Sequence, residues 1–160
     1  MRIALYQPDI AQNTGTILRL AACLSVPVEI IQPTGFDMTD RALRRAGLDY
    51  LEHVDIVRHE SFAAFDFARR AAGRRMMLLT THGDTPLQHA HFEPADVLLL
   101  GRESAGVPDS VHALAESRIA IPMRGGLRSL NIAVAAGIAL WEALRQTDGL
   151  AGAAMGPPET

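Results

Sequence analysis

Two unbroken apolar runs, Met76 to Thr80 (MMLLT) and Val97 to Leu100 (VLLL), constrain this chain more than any other feature. A strand with one wet face alternates apolar and polar residues, whereas a parallel strand covered on both faces reads as continuous hydrophobics. These runs are therefore expected at the centre of a sheet with helices on both faces. Strand-like and helix-like segments alternate around them. Arg2 to Gln7 and Val28 to Ile31 read as strands with a helical pattern between them. Thr39 to Leu48 reads as a helix ending at Gly47, and Val54 with Ile56 as an alternating strand. Ser61 is placed to cap the helix FAAFDFARRAA, which stops at Gly73. A short helix around Val111 to Ala115, a strand from Arg118 to Ile121 and a long helix from about Ser129 to Gln146 complete the pattern. The class is α/β with a mainly parallel sheet.

The 160 residues are 48% hydrophobic and 21% charged, enough for one ordinary core. Residues 1–146 are read as one domain, and 147–160, rich in Gly, Ala and Pro, as a frayed tail. The lone Cys23 cannot form an internal disulfide and no signal run opens the chain, a combination that fits a reducing cytoplasm. The longest apolar stretch, Ile132 to Trp141, is too short to span a membrane, which takes about 20 residues. With a formal net charge of −3, a chain held to nucleic acid by counterion release alone is disfavoured, so any RNA site must be local. All fifteen basic residues are Arg, the planar fork suited to phosphate and carboxylate. There is no G-x-G-x-x-G after the first strand and no G-x-x-x-x-G-K-[ST], so the usual dinucleotide and nucleoside-triphosphate loops are missing. His82, His89 and His91 offer two metal ligands at best, and no metal is expected.

Three segments carry the candidate chemistry. In Gln7 to Ser25, Asn13 is read as the cap of a helix whose buried stripe is Ile17, Leu20, Ala21 and Leu24. Arg19 falls about 200° from Ile17, on the opposite face. It is either a solvated side chain or a fork flanked by the small residues Gly15 and Ala22 and open to a ligand. In Asp96 to Pro108 (DVLLLGRESAGVP) a strand runs into a glycine-punctuated loop, and open α/β sheets bind ligands off the carboxyl ends of their strands. Gly101 permits close approach to its backbone. Glu103 either accepts hydrogen bonds from a ligand or is a turn carboxylate paired with Arg102 or another Arg. In Ile119 to Gln146, Ser129 or Asn131 can cap the long helix, whose small residues Ala133, Ala135, Ala136, Gly137 and Ala139 suit tight packing.

Taken together, NTGTILR, LLGRESAGVP and IPM followed by S-L-N resemble the three signature motifs of the SpoU branch of the SPOUT RNA methyltransferases, over Tyr6 to Gln146. Gly35 to Tyr50 is also similar to the small single-domain type that methylates the wobble ribose of tRNA. The resemblance implies an α/β fold with a deep C-terminal trefoil knot, a homodimer, S-adenosylmethionine as cofactor and tRNA as partner. It further implies methyl transfer to the 2′-oxygen of nucleotide 34, or of another tRNA or rRNA ribose, unless the fold serves only to bind RNA. Carried over residue by residue, it places the cofactor around Leu79, Gly101, Ile121 and Ser129. It gives Arg19 the target hydroxyl, and puts Glu103 and Asn131 on the positions that shape the catalytic site. Arg41, Arg44 and Arg45 become candidate contacts to tRNA phosphates. Arg19 is expected to orient rather than accept a proton, because a free guanidinium is effectively always protonated. The chain departs from the family pattern at Arg102, where proline is common, at Gly126-Leu127 before Arg128-Ser129, and at Trp141, where an aromatic hydroxyl often stands.

Overall fold

The computed structural model describes residues 1–38 and 50–150. Among them are the strands β1 (Arg2–Tyr6), β2 (Val28–Ile31), β3 (Ile56–His59), β4 (Met76–Leu79), β5 (Thr85–Pro86), β6 (Val97–Leu100) and β7 (Ser117–Ala120). The helices are α1 (Ala11–Cys23), α2 (Phe62–Ala71), α3 (Asp109–His112) and α4 (Ile132–Gln146). All strand pairs are parallel, in the order β3-β2-β1-β6-β4-β7-β5. The two continuous apolar runs thus become β4 and β6, adjacent and internal.

Each buried strand divides its side chains between two cores, as a period of two requires. Ile3, Leu5, Met77, Leu98 and Leu100 face α1 and α4. Ala4, Tyr6, Met76, Leu78, Val97 and Leu99 face Phe65 of α2 and Val111 of α3. Helices therefore cover both faces, and every residue of β6 is buried. No described helix is long and apolar enough to cross a membrane.

Several sequence expectations need correction. Helix α1 starts at Ala11 with Ile10 as a cap that supplies no side-chain hydrogen bond, so Asn13 lies inside the first turn and caps nothing. Its buried stripe includes Thr14, Gly15 and Leu18, whereas Leu20 and Leu24 are half-buried at its edge. The stripe is wide because α1 packs beside α4 and shares a core with strand residues such as Ile3, Leu5 and Leu100. Strand β3 begins at Ile56, and Val54 lies before it. The two-residue β5, too short for any periodicity to reveal, extends the sheet beyond β7. Helix α4 starts at Ile132, with Asn131 rather than Ser129 as its cap: Asn131 Oδ1 accepts from the N–H groups of Ala133 (2.9 Å) and Val134 (3.3 Å). The small residues of α4 are spent inside the chain. Ala136, Ala139 and Ala143 are fully buried, and a Cβ on Gly137 would stand 3.8 Å from Leu20 Cδ2 of α1. The proposed helix Thr39 to Leu48 lies outside the described residues.

The second core contains one buried cation. Arg69 of α2 is 1% exposed and is held by Asp66 (2.7 Å), Glu116 (3.0 Å) and the carbonyl oxygen of Arg74 (3.1 Å). Glu116 in turn accepts the N–H of Met76 at the start of β4 (2.6 Å). The network ties α2 and the β7 approach to the sheet, and removing one member strands the others. Arg69→Met should cost about 3 kcal/mol, the low end for breaking a buried pair because Glu116 keeps partial access to water. Urea unfolding at neutral pH checks this, and a loss under about 1 kcal/mol would show the network to be dispensable.

Candidate active site at the carboxyl ends of the strands

Chain direction places the ends of β4, β6 and β7 together at one edge of the sheet, and a cleft of about 510 Å³ opens there. Its lining includes Leu79 at the end of β4 and Thr80 after it, Gly101 and Glu103 after β6, Ile121 and Met123 after β7, and Ser129 and Asn131 before α4. Six of the sequence-derived candidates, Leu79, Gly101, Glu103, Ile121, Ser129 and Asn131, therefore converge on one pocket. Its walls are largely apolar, through Leu78, Leu100, Val107 and Ile132, with polar groups at a few points, the usual constitution of a small-molecule site.

The glycine after β6 lines the cleft and also makes a close contact within its own loop. A Cβ on Gly101 would lie 2.8 Å from the carbonyl carbon of Gly106 and 2.9 Å from its Cα, so the close approach is made by the loop itself. Arg102 and Gly106 exchange backbone hydrogen bonds (3.0 and 2.9 Å), and Gly106 has φ +65°. The loop is thereby folded back into a narrow turn that presents Glu103 at the cleft.

A reciprocal clasp fixes that turn. Asp9 N–H donates to Glu103 Oε2 (3.1 Å), and Glu103 N–H donates to Asp9 Oδ1 (3.1 Å). Ser104 Oγ also donates to Asp9. Among the described residues Glu103 is thus paired with neither Arg102 nor another Arg; it is Asp9 that Arg102 approaches, at 3.7 Å. Hydrogen bonding with Glu103 and Ser104 holds the Asp9 carboxyl down at about 2, against the opposing effect of burial. Burial first, and the Asp9 carboxyl second, push Glu103 upward from the usual carboxylate range. Such opposed shifts in two facing carboxyls mean that Glu103 is the member that keeps a proton more readily.

From Glu103 the network reaches the third motif through α1. Asn13 Nδ2 donates to Glu103 Oε1 (3.2 Å), and Asn13 Oδ1 accepts from Asn131 Nδ2 (3.0 Å). Asn131 Oδ1 is occupied by the α4 backbone, so both asparagine amides have a single consistent orientation. Asp9 and Asn13 were the site residues that sequence reasoning missed. In the sequence Asn13 reads as a cap, and only the partner loop shows its amide to be used sideways.

Arg19 does not line this cleft. It is exposed, with its guanidinium carbon 4.7 Å from the centroid of the Tyr50 ring, a cation–π contact that fixes the direction of the fork. Six residues beyond Asn13, it lies about 9 Å further along the helix axis. Arg41, Arg44 and Arg45 lie outside the described residues. Among the described residues no three His, Cys, Asp or Glu side chains gather as a metal site.

Comparison with known proteins agrees with this geometry. Residues 1–141 match the model of the SpoU rRNA methylase family. The tRNA (cytidine(34)-2′-O)-methyltransferase of Beijerinckia indica subsp. indica is 56% identical over 149 residues, covering 93% of each chain. A structure solved for insight into the 2-OH methylation of C/U34 on tRNA superposes with a TM-score of 0.85 at 46% identity, over 91% of this chain and 94% of that one. The SpoU methyltransferase AviRb from Streptomyces viridochromogenes, in complex with AdoMet, gives 0.80 at 31% identity, over 91% of this chain and 57% of that one. With three motifs gathered on one cleft and a matching sequence over almost its whole length, this chain belongs to the SpoU rRNA methylase family.

Proposed function

We infer that this protein transfers the methyl group of S-adenosylmethionine to the 2′-hydroxyl of a tRNA ribose at position 34, a cytidine or a modified uridine. One observation carries the reading: a single cleft gathers the three motif loops, with Leu79, Gly101, Ile121 and Ser129 as its walls and Glu103 and Asn131 locked at one side. A volume of about 510 Å³ with apolar walls and exposed loop backbone fits a nucleoside-sized cofactor. When bound, that cofactor supplies an electrophilic methyl on sulfur. The chain supplies placement: the Asp9–Glu103–Asn13–Asn131 network holds the loops rigid, so that the cleft requires little rearrangement when a ribose arrives. The high sequence identity to a protein named for cytidine 34 supports the choice of nucleotide. The same reading takes in the trefoil knot of the family and a cytoplasmic location.

The active unit we propose is a homodimer in which Arg19 of one protomer serves the cleft of the other. Two observations support it. Arg19 does not line its own cleft, and α4 leaves Val134, Ile138 and Trp141 exposed at 52%, 42% and 54% along one face. Those side chains follow i, i+4, i+7 spacing, an apolar stripe suited to a symmetry mate. In this position the guanidinium orients the hydroxyl and a neighbouring phosphate as a two-pronged donor.

Tritiated methyl transfer to unmodified tRNA, with mass-spectrometric mapping of the product, is expected to place the label on ribose 34; a label elsewhere or none would overturn the assignment. Arg19→Ala should remove transfer while leaving cofactor affinity within about twofold, and Arg19→Lys should fail too, since an ammonium lacks the fork. Mixing inactive Arg19→Ala with inactive Glu103→Ala protein should restore about a quarter of wild-type activity, because half of randomly paired dimers carry one intact site. No restoration would mean that each protomer uses its own arginine.

The raised pKa of Glu103 fixes a sign. Its contribution to stability is complete below the ordinary value of 4.5 and is lost as pH rises through its folded value. Glu103→Gln imitates the protonated form. It should match or exceed wild-type thermal stability at pH 7.5 and lose that advantage below about pH 4.5. The opposite trend in melting temperature would show that Glu103 is held ionised.

A further inference from the structure

Almost every arginine among the described residues has a task. Arg2 and Arg74 serve Glu29, Arg69 and Arg70 hold Asp66, and Arg75 pairs with Asp96. Arg102, Arg118 and Arg145 pair with Asp9, Asp84 and Glu142, Arg58 reaches the Met38 carbonyl, and Arg19 lies over Tyr50. Arg124 and Arg128 are the exceptions: among the described residues neither makes a hydrogen bond, ion pair or ring contact. Both are exposed.

Their placement is specific. They flank Gly125 and Gly126 in the loop between β7 and α4, and a Cβ on either glycine would meet nothing within 4 Å, so the loop stands clear of the fold. Gly126 has φ +87°, which favours glycine and turns the chain between the two arginines. At one end Met123 lines the cleft, and at the other Arg128, Ser129, Leu130 and Asn131 do. One unpaired guanidinium, Arg128, thus borders the cleft, and a second, Arg124, follows the cleft residue Met123, on a chain whose net charge is −3. A polyanion gains little from such a chain at long range, so contact must come from local cations.

We propose that Arg124 and Arg128 form a phosphate clamp that grips the RNA backbone beside the nucleotide whose ribose enters the cleft. This rests on the methyl-transfer reading above and adds to it a site for phosphodiester at the rim of the cleft, which Arg128 itself lines. An arginine fork engages two phosphate oxygens at once, and the glycine pair lets the two forks settle on the strand. Leaving two cations unpaired in the free protein avoids the cost of breaking ion pairs when RNA arrives.

The test measures binding of an unmodified tRNA anticodon stem-loop by fluorescence anisotropy across a salt series, for wild type, Arg124→Gln, Arg128→Gln and the double variant. Calorimetry with S-adenosylmethionine and steady-state methyl transfer accompany it. Each substitution should lower the slope of log affinity against log salt by about one, and the double variant by about two. The loss in transfer should fall chiefly on KM for RNA. Cofactor affinity should stay within about twofold, and lysine replacements should restore the salt slope because they keep the charge. A salt slope unchanged in the double variant would overturn the clamp. So would a tenfold loss of cofactor affinity on Arg128→Gln with RNA binding intact, which would assign that side chain to the cofactor's carboxylate. Wild-type protein that binds RNA with the expected slopes yet transfers no methyl would sink the methyl-transfer reading and leave the clamp standing.

Discussion

The exchange of hydrogen bonds between Asp9 and Glu103 is the contact on which the site depends. It joins segments 94 residues apart, one leading into α1 and the other leaving β6. Without it the loop after β6 would be held by its own turn and by side-chain bonds from Asn13 and Ser104 alone. Because each residue gives a backbone N–H and receives one through its side chain, neither loop can shift without breaking both bonds. The Asn13–Asn131 amide pair then carries the same rigidity to the cap of α4, so three segments distant in sequence share one frame.

The sheet makes that frame possible. Parallel β1, β6, β4 and β7 deliver their loops to a single edge, and burial on both faces keeps those ends in register. Small residues on α4 serve the same end, bringing that helix close over α1 and setting Asn131 beside Asn13. The cleft is consequently a property of strand order and helix packing together, while its chemistry comes from a handful of polar groups added at the loop tips.

Much of the fold was legible because its physical signals are local. Continuous apolar runs identified β4 and β6, Ser61 announced α2 with a side chain that accepts the N–H of Ala64, and Asn131 was one of two residues expected to cap α4. Legibility ended where a residue's partner lies far along the chain. Asn13 sits where a cap is plausible, and only Glu103 and Asn131 draw it to other work. Gly101 reads as a place for a ligand to approach, and it does line the cleft, but only the folded loop shows that the space a Cβ would need is taken by Gly106. Arg19 was correctly placed opposite the buried stripe, but whether that face meets the chain's own cleft depends on the packing of α1.

The sequence by itself determined the α/β class, the central strands and the six motif residues that line the cleft, because hydrophobic period and family motif are written in short stretches of chain. Tertiary structure alone decided which carboxyl is pushed up and which is held down, which amide faces which, and that Arg19 stands outside the cleft of its own chain. Those outcomes turn on distances between groups brought together by folding, and no local pattern encodes the separation of two side chains 94 residues apart.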